Sequence, residues 1–329
     1  MNLSTPLLTC DIIIPEADLI ANNRDLDSVY GIMIANKNEL LMRTSLRELL
    51  KERENMLRAR GFKLPEDWDL SWNFKLGPIW TPAELSGGVF WILPEYYLKE
   101  PDGSCTTDGN ISTATDRYEN HDFTQTTCDD MPALTTHLNG FQGLALTDNE
   151  YLSATSVGIG DGANGMVAAC MINQGPDENA ISFVFAGDTD SANDVSFWKY
   201  TSSARENWIF EHHNGSAENS GGWVANEDAM FVMGREAGGN GLSLRKDGGT
   251  ADTGTTSGTI SDQTVYIGSN TGPANEYNGE IFEVVYAVTG FTTALAQKLE
   301  GYFAHKYDVT STLPAAHPYK INPPRADST

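Results

Sequence analysis

Residues 299–307 and 313–320 read Leu299-Glu300-Gly301-Tyr302-Phe303-Ala304-His305-Lys306-Tyr307 and Leu313-Pro314-Ala315-Ala316-His317-Pro318-Tyr319-Lys320. Thr292 or Thr293 can cap a helix just before them, because a threonine oxygen accepts a hydrogen bond from a free backbone N–H. Four apolar residues at helical spacing then form one stripe: Leu295, Leu299, Tyr302 and Phe303. Pro314 and Pro318 cannot continue a helix and keep the tail extended. The stretch predicts a short helix and tail that close over one end of a sheet.

Upstream of the helix, short apolar segments alternate with turns rich in Gly, Asp and Asn. Residues 89–93 predict the first buried strand, whereas the polar, Thr-rich residues 99–135 predict a long surface excursion. Further strands are predicted at 166–172, 181–186, 197–200, 207–212, 229–234, 241–246, 264–268 and 279–288. This density of strands predicts a mainly β protein, a two-sheet antiparallel sandwich with a short C-terminal helix.

The two closing segments resemble the closing motif of concanavalin A-like (laminin G-like) sandwich domains in phage virion proteins and bacterial surface proteins. Residues 138–153 resemble a second landmark of these domains, and the resemblance covers roughly residues 80–322. It implies a jelly-roll domain over residues 76–329 and a non-enzymatic bacteriophage protein on the particle surface, assembled in the host cytoplasm. Decoration, fiber or knob-like roles fit this resemblance. The alternative is a head or tail adhesin that binds a host surface glycan, and a homo-oligomer is expected in either case.

The formal net charge of −24 makes nucleic acid an unsuitable partner for the body of the protein. No apolar stretch approaches the roughly 20 residues that span a bilayer, so no membrane partner is expected. The N-terminus lacks a basic segment followed by an apolar one, which predicts no secretory signal. Without a signal, reduced thiols are expected, although Cys105 and Cys128 flank one loop-like segment and could pair.

Residues 1–75 differ in charge from the rest of the chain. Asn38 can cap an amphipathic helix over residues 38–60, and residues 37–63 hold eight basic against four acidic side chains. This pattern indicates an arm that anchors the protein to an acidic capsid or tail protein, with four candidate contacts: Arg43, Arg47, Lys51 and Arg58. The alternative is a solvated helix packed on the sandwich.

The sequence predicts no catalytic site. Glycoside hydrolysis needs two carboxylates that face each other across the scissile bond. Glu280 and Glu283 are three residues apart on one predicted strand, so their side chains should point to opposite faces. Glu227 and Asp228 are adjacent and should diverge likewise. His305 and His317 belong to the closing segments and are interpreted as structural.

One segment has the alternating oxygen ligands that Ca²⁺ favours, from Asp188, Asp190, Asn193 and Asp194. It lacks the glycine of a helix-loop-helix calcium loop, and an acidic β-turn is the alternative. Calcium is the one cofactor that the sequence suggests.

Sugar binding remains as a function for the sandwich. Sites of this kind stack an aromatic ring on a sugar and present amides and carboxylates from loops. The candidate residues are Trp198, Trp208, Trp223 and Asn226, with Asn193 and Asp194 beside them. Sandwich cores also need tryptophans, so the same rings are candidates for the core.

Overall fold

A computed structural model divides the chain into two compact units, Met1–Gly77 and Pro78–Thr329. The structure describes residues 79–93, 97–99, 110–118, 121–136, 140–147, 149–160, 164–176, 181–187, 194–202, 205–220, 224–272 and 275–326. The predicted arm, with its helix over residues 38–60 and with Arg43, Arg47, Lys51 and Arg58, lies outside these residues. None of the described helices is long and apolar enough to cross a membrane.

The described residues form seventeen strands and one α-helix. In chain order they are β1 (Gly88–Ile92), β2 (Tyr97–Lys99), β3 (Ile111–Ala114), β4 (Phe123–Thr124), β5 (Ala133–Thr136), β6 (Gln142–Leu146), β7 (Leu152–Val157), β8 (Met166–Asn173), β9 (Ile181–Gly187), β10 (Val195–Ser202), β11 (Arg205–His212), β12 (Gly215–Ser220), β13 (Asp228–Arg235), β14 (Gly241–Lys246), β15 (Asp252–Thr255), β16 (Gln263–Ile267), β17 (Gly279–Ala287) and α1 (Thr293–Lys306).

The strands form two sheets, and the pairs of neighbouring strands are antiparallel. The first sheet has the order β15-β14-β13-β8-β17-β6-β5, with β1 as an eighth strand that also pairs with β17. The second sheet has nine strands in the order β12-β11-β10-β9-β16-β7-β4-β3-β2. The prediction of a mainly β, two-sheet antiparallel sandwich with a short C-terminal helix is confirmed.

The central strands of the eight-stranded sheet are buried on both faces. In β8, Met166, Ala168, Cys170 and Ile172 pack between the two sheets, whereas the alternate residues Val167, Ala169 and Met171 pack on the outer side. Side chains alternate between the faces of a strand, so a strand covered on both sides must be apolar throughout. This explains the uninterrupted apolar run of β8.

Helix α1 provides the outer cover of this sheet. The hydroxyl oxygen of Thr292 accepts a hydrogen bond from the Leu295 backbone N–H at 3.1 Å, which confirms the predicted N-cap. Leu299 and Phe303 are fully buried in the outer cluster, and Leu295 packs against it. The predicted apolar stripe is therefore the face that the helix turns to the sheet.

A fully buried carboxylate, that of Glu283 on β17, joins the helix to the sheet. It accepts hydrogen bonds from the Trp91 indole at 2.5 Å, the Tyr307 hydroxyl at 2.8 Å and the Tyr302 hydroxyl at 3.0 Å. The Lys306 ammonium lies 2.7 Å away and neutralises the charge. A buried charge is costly unless it is paired and hydrogen-bonded. Loss of any one of the four partners would therefore leave Glu283 less well compensated and destabilise the fold.

A second buried carboxylate, Glu300 on α1, joins the helix to β14 and to the tail. Arg245 donates two hydrogen bonds to it, to Oε1 at 2.6 Å and to Oε2 at 3.1 Å, and His317 Nε2 lies 3.0 Å from Oε2. His305 Nε2 lies 2.9 Å from the Tyr319 carbonyl. Both histidines thus have the structural roles that the sequence predicts.

The prediction that residues 99–135 form a surface excursion is wrong for part of that segment. It contributes β3, β4 and most of β5, and Ile111, Ala114 and Phe123 are fully buried in the core. These strands are short and carry threonine, a residue that favours strands although it is polar. The sulfur of Cys128 is in a disulfide whose partner lies outside the described residues, so the expectation of reduced thiols fails there. Cys170 is free and buried.

We expect Glu300→Gln to lower the free energy of unfolding by about 3–5 kcal/mol, because it leaves the Arg245 guanidinium buried without a counter-charge. Urea unfolding followed by tryptophan fluorescence measures the change. Glu227→Gln is the matched control, since it neutralises a carboxylate that is 40% exposed and pairs with Lys246. Its expected cost is about 1 kcal/mol or less. Equal losses in the two variants would contradict a special role for the buried pair.

A pH dependence is expected from Asp247, whose pKa is raised to about 6 chiefly by burial. Its native pKa exceeds its unfolded value, so the native state binds more protons and stability falls as pH rises through this range. Asp247→Asn keeps the acceptor for the Met230 N–H and tolerates the φ of 52°. We expect the variant to be more stable than the native protein by roughly 1–3 kcal/mol at pH 7.5, with the gain vanishing near pH 4.

Thermal unfolding between pH 4 and 8 measures this difference. Asp308→Asn is the matched control, because Asp308 also has a positive φ, 57°, but is exposed. A gain of the same size in both variants would attribute the effect to backbone conformation rather than to a buried charge.

Candidate functional site

The two sheets differ in what covers their outer sides. The eight-stranded sheet lies under α1 and the C-terminal tail, which bury its outer residues. No described helix packs on the outer side of the nine-stranded sheet. Among the described residues, the nine-stranded sheet is thus the one whose outer side no helix covers.

An aromatic group lies on that outer side, at the centre of β9, β10 and β11. Trp198 pairs across the strands with Phe183 on one side and Ile209 on the other. The Trp198 and Phe183 rings stack with centroids 5.5 Å apart and planes at 21°, and Tyr200 meets Trp198 edge-on at 6.0 Å. Trp198 and Tyr200 are half-buried, so part of each side chain is available to a ligand.

A carboxylate borders the aromatic group. Glu211 lies two residues beyond Ile209 on β11, on the same face, and its carboxylate is 3.5 Å from the Ser196 hydroxyl. Burial raises the pKa of Glu211, and the nearby Asp194 carboxylate raises it further, while contacts with Trp198 and Ser196 partly oppose this. We call the outer side around Phe183, Trp198, Tyr200, Ile209 and Glu211 the open face.

More polar groups continue the open face toward β12. The exposed Glu218 carboxylate accepts a hydrogen bond from the Asn207 amide at 3.3 Å, and it also contributes to the raised pKa of Glu211. On the other side, Tyr266 of β16 contacts Tyr151 at 6.0 Å. The open face thus combines aromatic rings with amide, hydroxyl and carboxylate groups.

Of the predicted sugar-binding residues that the structure describes, Trp198 alone lies on the open face. Trp208 is fully buried between the sheets, where it stacks on Phe197 at 5.0 Å and donates a hydrogen bond to Gln174 at 2.9 Å. Trp208 therefore belongs to the hydrophobic core, the alternative to sugar binding that the sequence left open. Asn226 is exposed in the connection between β12 and β13, and Trp223 lies outside the described residues.

Asn226 has a conformational role in that connection. Its φ is 58°, a left-handed value that asparagine tolerates better than most residues. Its backbone N–H donates to the Gly175 carbonyl at 3.0 Å, and its carbonyl accepts from the Asn173 amide at 3.2 Å. These bonds fix the turn.

Most of the predicted calcium segment lies outside the described residues, so the calcium site stays a prediction. Asp188, Asp190 and Asn193 lie outside the described residues, and the Asp194 carbonyl accepts a hydrogen bond from the His213 N–H at 2.7 Å. Within the part of the chain that the structure describes, no three His, Cys, Asp or Glu side chains are grouped as a metal site requires.

The predicted divergence of Glu280 and Glu283 is wrong, because β17 has a bulge between Ile281 and Glu283. Ile281 packs between the sheets, whereas Phe282 and Glu283 both lie on the helix side. Glu280 shares that side, since it accepts a hydrogen bond from Thr135 at 3.0 Å. The extra residue of a bulge reverses the alternation. Glu283 is nevertheless fully buried and engaged by four partners, which leaves it no access to a substrate.

Sequence reasoning did not select Phe183, Tyr200, Ile209 or Glu211. The sequence does indicate the side of Tyr200. It lies two residues after Trp198 on the same strand, and side chains two apart share a face. The sequence does not indicate the side of Phe183. A shift in register between β9 and β10 turns both Val184 and Phe185 toward the core, so the alternation along β9 is broken. A bulge of this kind changes the face of a residue without a mark in the sequence.

No protein-family profile and no curated protein matches the chain. Among solved structures, a GH54 α-L-arabinofuranosidase is similar at 12% identity over 68% of this chain and 60% of its own, with a TM-score of 0.45. A Trypanosoma rangeli sialidase is similar at 13% identity over 82% of this chain and 39% of its own, with a TM-score of 0.43. The Ruminococcus gnavus IT-sialidase CBM40, solved with α2,3-sialyllactose, is similar at 10% identity over 46% of this chain and 95% of its own, with a TM-score of 0.35.

The chain spans less than two thirds of the length of the arabinofuranosidase and sialidase chains. At these identities and TM-scores the similarities carry no argument about function. Any functional argument must come from the open face itself.

Proposed function

We propose that the protein is a non-enzymatic glycan-binding sandwich, and that the open face is its binding surface. The observation that carries the proposal is the aromatic group of Trp198, Phe183 and Tyr200 on the sheet face without a described helix. A sugar ring presents an apolar C–H face, which packs on an aromatic side chain, and hydroxyls, which need polar partners beside it. Asn207, Glu211 and Glu218 supply such partners.

The location that we propose for this activity is a bacteriophage particle. It is supported by the resemblance of the closing segments at residues 299–320 and by the basic residues of the arm. In this arrangement Arg43, Arg47, Lys51 and Arg58 contact an acidic capsid or tail protein, and the sandwich faces outward. A decoration, fiber or knob-like protein without a ligand is the second candidate, and it rests on the same resemblance.

Trp198→Ala tests the glycan-binding proposal. A glycan array read with the native protein identifies a ligand, and calorimetry with that glycan then measures the variant. We expect at least a tenfold loss of affinity, because the ring that packs on the sugar is removed. Ile321→Ala is the control, since it removes an apolar side chain, 75% exposed, from the C-terminal tail, away from the open face.

Binding that persists unchanged in Trp198→Ala would reject the open face as the site. An array without any hit would favour the decoration role instead. Release of reducing sugar from the bound glycan would contradict the non-enzymatic part of the proposal.

The four-fold charge reversal R43E, R47E, K51E, R58E tests the anchoring arm in the full chain. We expect it to abolish co-sedimentation with phage particles that lack the protein, because like charges would then face each other across the contact. The thermal midpoint of the sandwich should not change, which distinguishes lost attachment from lost folding. Unimpaired attachment would mean that another surface holds the protein on the particle.

A further inference from the structure

Glu211 differs from Glu227, Glu283 and Glu300, the glutamates for which the described residues show ion pairs. The ion pairs of the described residues engage Glu227 with Lys246, Glu283 with Lys306, and Glu300 with Arg245 and His317. None of them engages Glu211. Its neighbours on the open face are the Ser196 hydroxyl and the Trp198 ring, and neither carries a charge.

Among the side chains that the structure describes, β9 to β12 offer Glu211 no lysine or arginine at the open face. Lys199 is the one lysine or arginine among them, and it is 2% exposed. It alternates with Trp198 and is paired with Trp208, so it points to the interior. The carboxylates near Glu211, those of Asp194 and Glu218, have the same sign as Glu211 and raise its pKa. Among the described residues, the ionised form of Glu211 has hydrogen-bonding contacts with Ser196 and Trp198 but no cation beside it.

The position of Glu211 relative to Trp198 fits a charged sugar. Glu211 pairs with Ser196, and Trp198 pairs with Ile209, so Glu211 is the diagonal neighbour of Trp198 across β10 and β11. Diagonal neighbours in an antiparallel pair lie within reach of aromatic and long side chains, and the Glu211 carboxylate contacts the Trp198 side chain. A ring packed on Trp198 can thus present a substituent to Glu211.

Resting on the proposed glycan-binding function, we propose that the open face selects glycans with unsubstituted amino sugars. The sugar ring packs on Trp198, and its ammonium group donates hydrogen bonds to the Glu211 carboxylate. A charge-assisted bond of this kind is about twice as strong as a neutral one, and an ammonium near an indole also gains from the ring quadrupole. Anionic glycans are disfavoured, because Asp194, Glu211 and Glu218 would repel them.

The experiment compares three oligosaccharides of one length by calorimetry with the full chain: a glucosamine oligomer, its fully N-acetylated form and a sialylated glycan. Acetylation removes the charge and keeps the ring. We expect the glucosamine oligomer to bind at least tenfold more tightly than the acetylated form, and the sialylated glycan not to bind. Glu211→Gln should abolish the tenfold preference, whereas Trp198→Ala should weaken the binding of both oligomers.

Two controls separate this outcome from simpler ones. Glu218→Gln removes a carboxylate on the same face that already accepts a hydrogen bond from Asn207, and it should keep most of the preference. Pentalysine tests whether the net charge of −24 simply attracts any polycation. Equal binding of pentalysine and glucosamine oligomer, insensitive to Glu211→Gln, would overturn the proposal.

The remaining outcomes distinguish the two proposals. Equal affinity for the amino and acetylated oligomers, lost in Trp198→Ala, would reject the selection of amino sugars and keep glycan binding. Failure of all glycans to bind would reject both. The thermal midpoint of Glu211→Gln should not fall, since it removes a charge that burial disfavours, and a large fall would mean that Glu211 holds the fold instead.

Discussion

The fold depends on two buried carboxylates that fasten one helix and one tail to a sheet. Glu283 projects from the sheet toward α1, and Glu300 projects from α1 toward β14 and the tail. Each is almost completely buried and each is compensated by a cation and by further hydrogen bonds. Buried ion pairs add little net stability compared with apolar packing, but they are costly when a partner is displaced. They therefore fix one orientation of the helix among those that apolar packing alone would allow.

This orientation has a consequence on the opposite side of the molecule. Once α1 and the tail cover the eight-stranded sheet, its central strands are apolar on both faces and have no surface to offer a ligand. The outer side of the nine-stranded sheet then carries the aromatic residues that the core does not use. Strands fixed on both sides by backbone hydrogen bonds also hold Trp198 and Glu211 in position better than loops would.

The sequence predicted the architecture and the closing segments because these follow from local patterns. The spacing of residues alone predicted the cap at Thr292, the apolar stripe at Leu299 and Phe303, and most of the long strands. The edge strands β12 and β15 were not predicted, since their sequences are polar and half of each strand faces solvent. The faces of Phe183 and Glu283 could not be predicted either, because each depends on a bulge set by pairing with a distant strand.

In the candidate site, too, the pairing of strands decides which face a residue takes, and the sequence does not show that pairing. Trp198 and Trp208 are both tryptophans on adjacent strands, and only the pairing register assigns one to the open face and the other to the core. The three glutamates present a parallel contrast. Glu283 and Glu300 are buried with cations, which indicates a structural role, whereas Glu211 is half-buried near like charges and beside the half-buried Trp198 ring. Burial and like charges disfavour the ionised form of Glu211, and a cationic ligand would offset that cost.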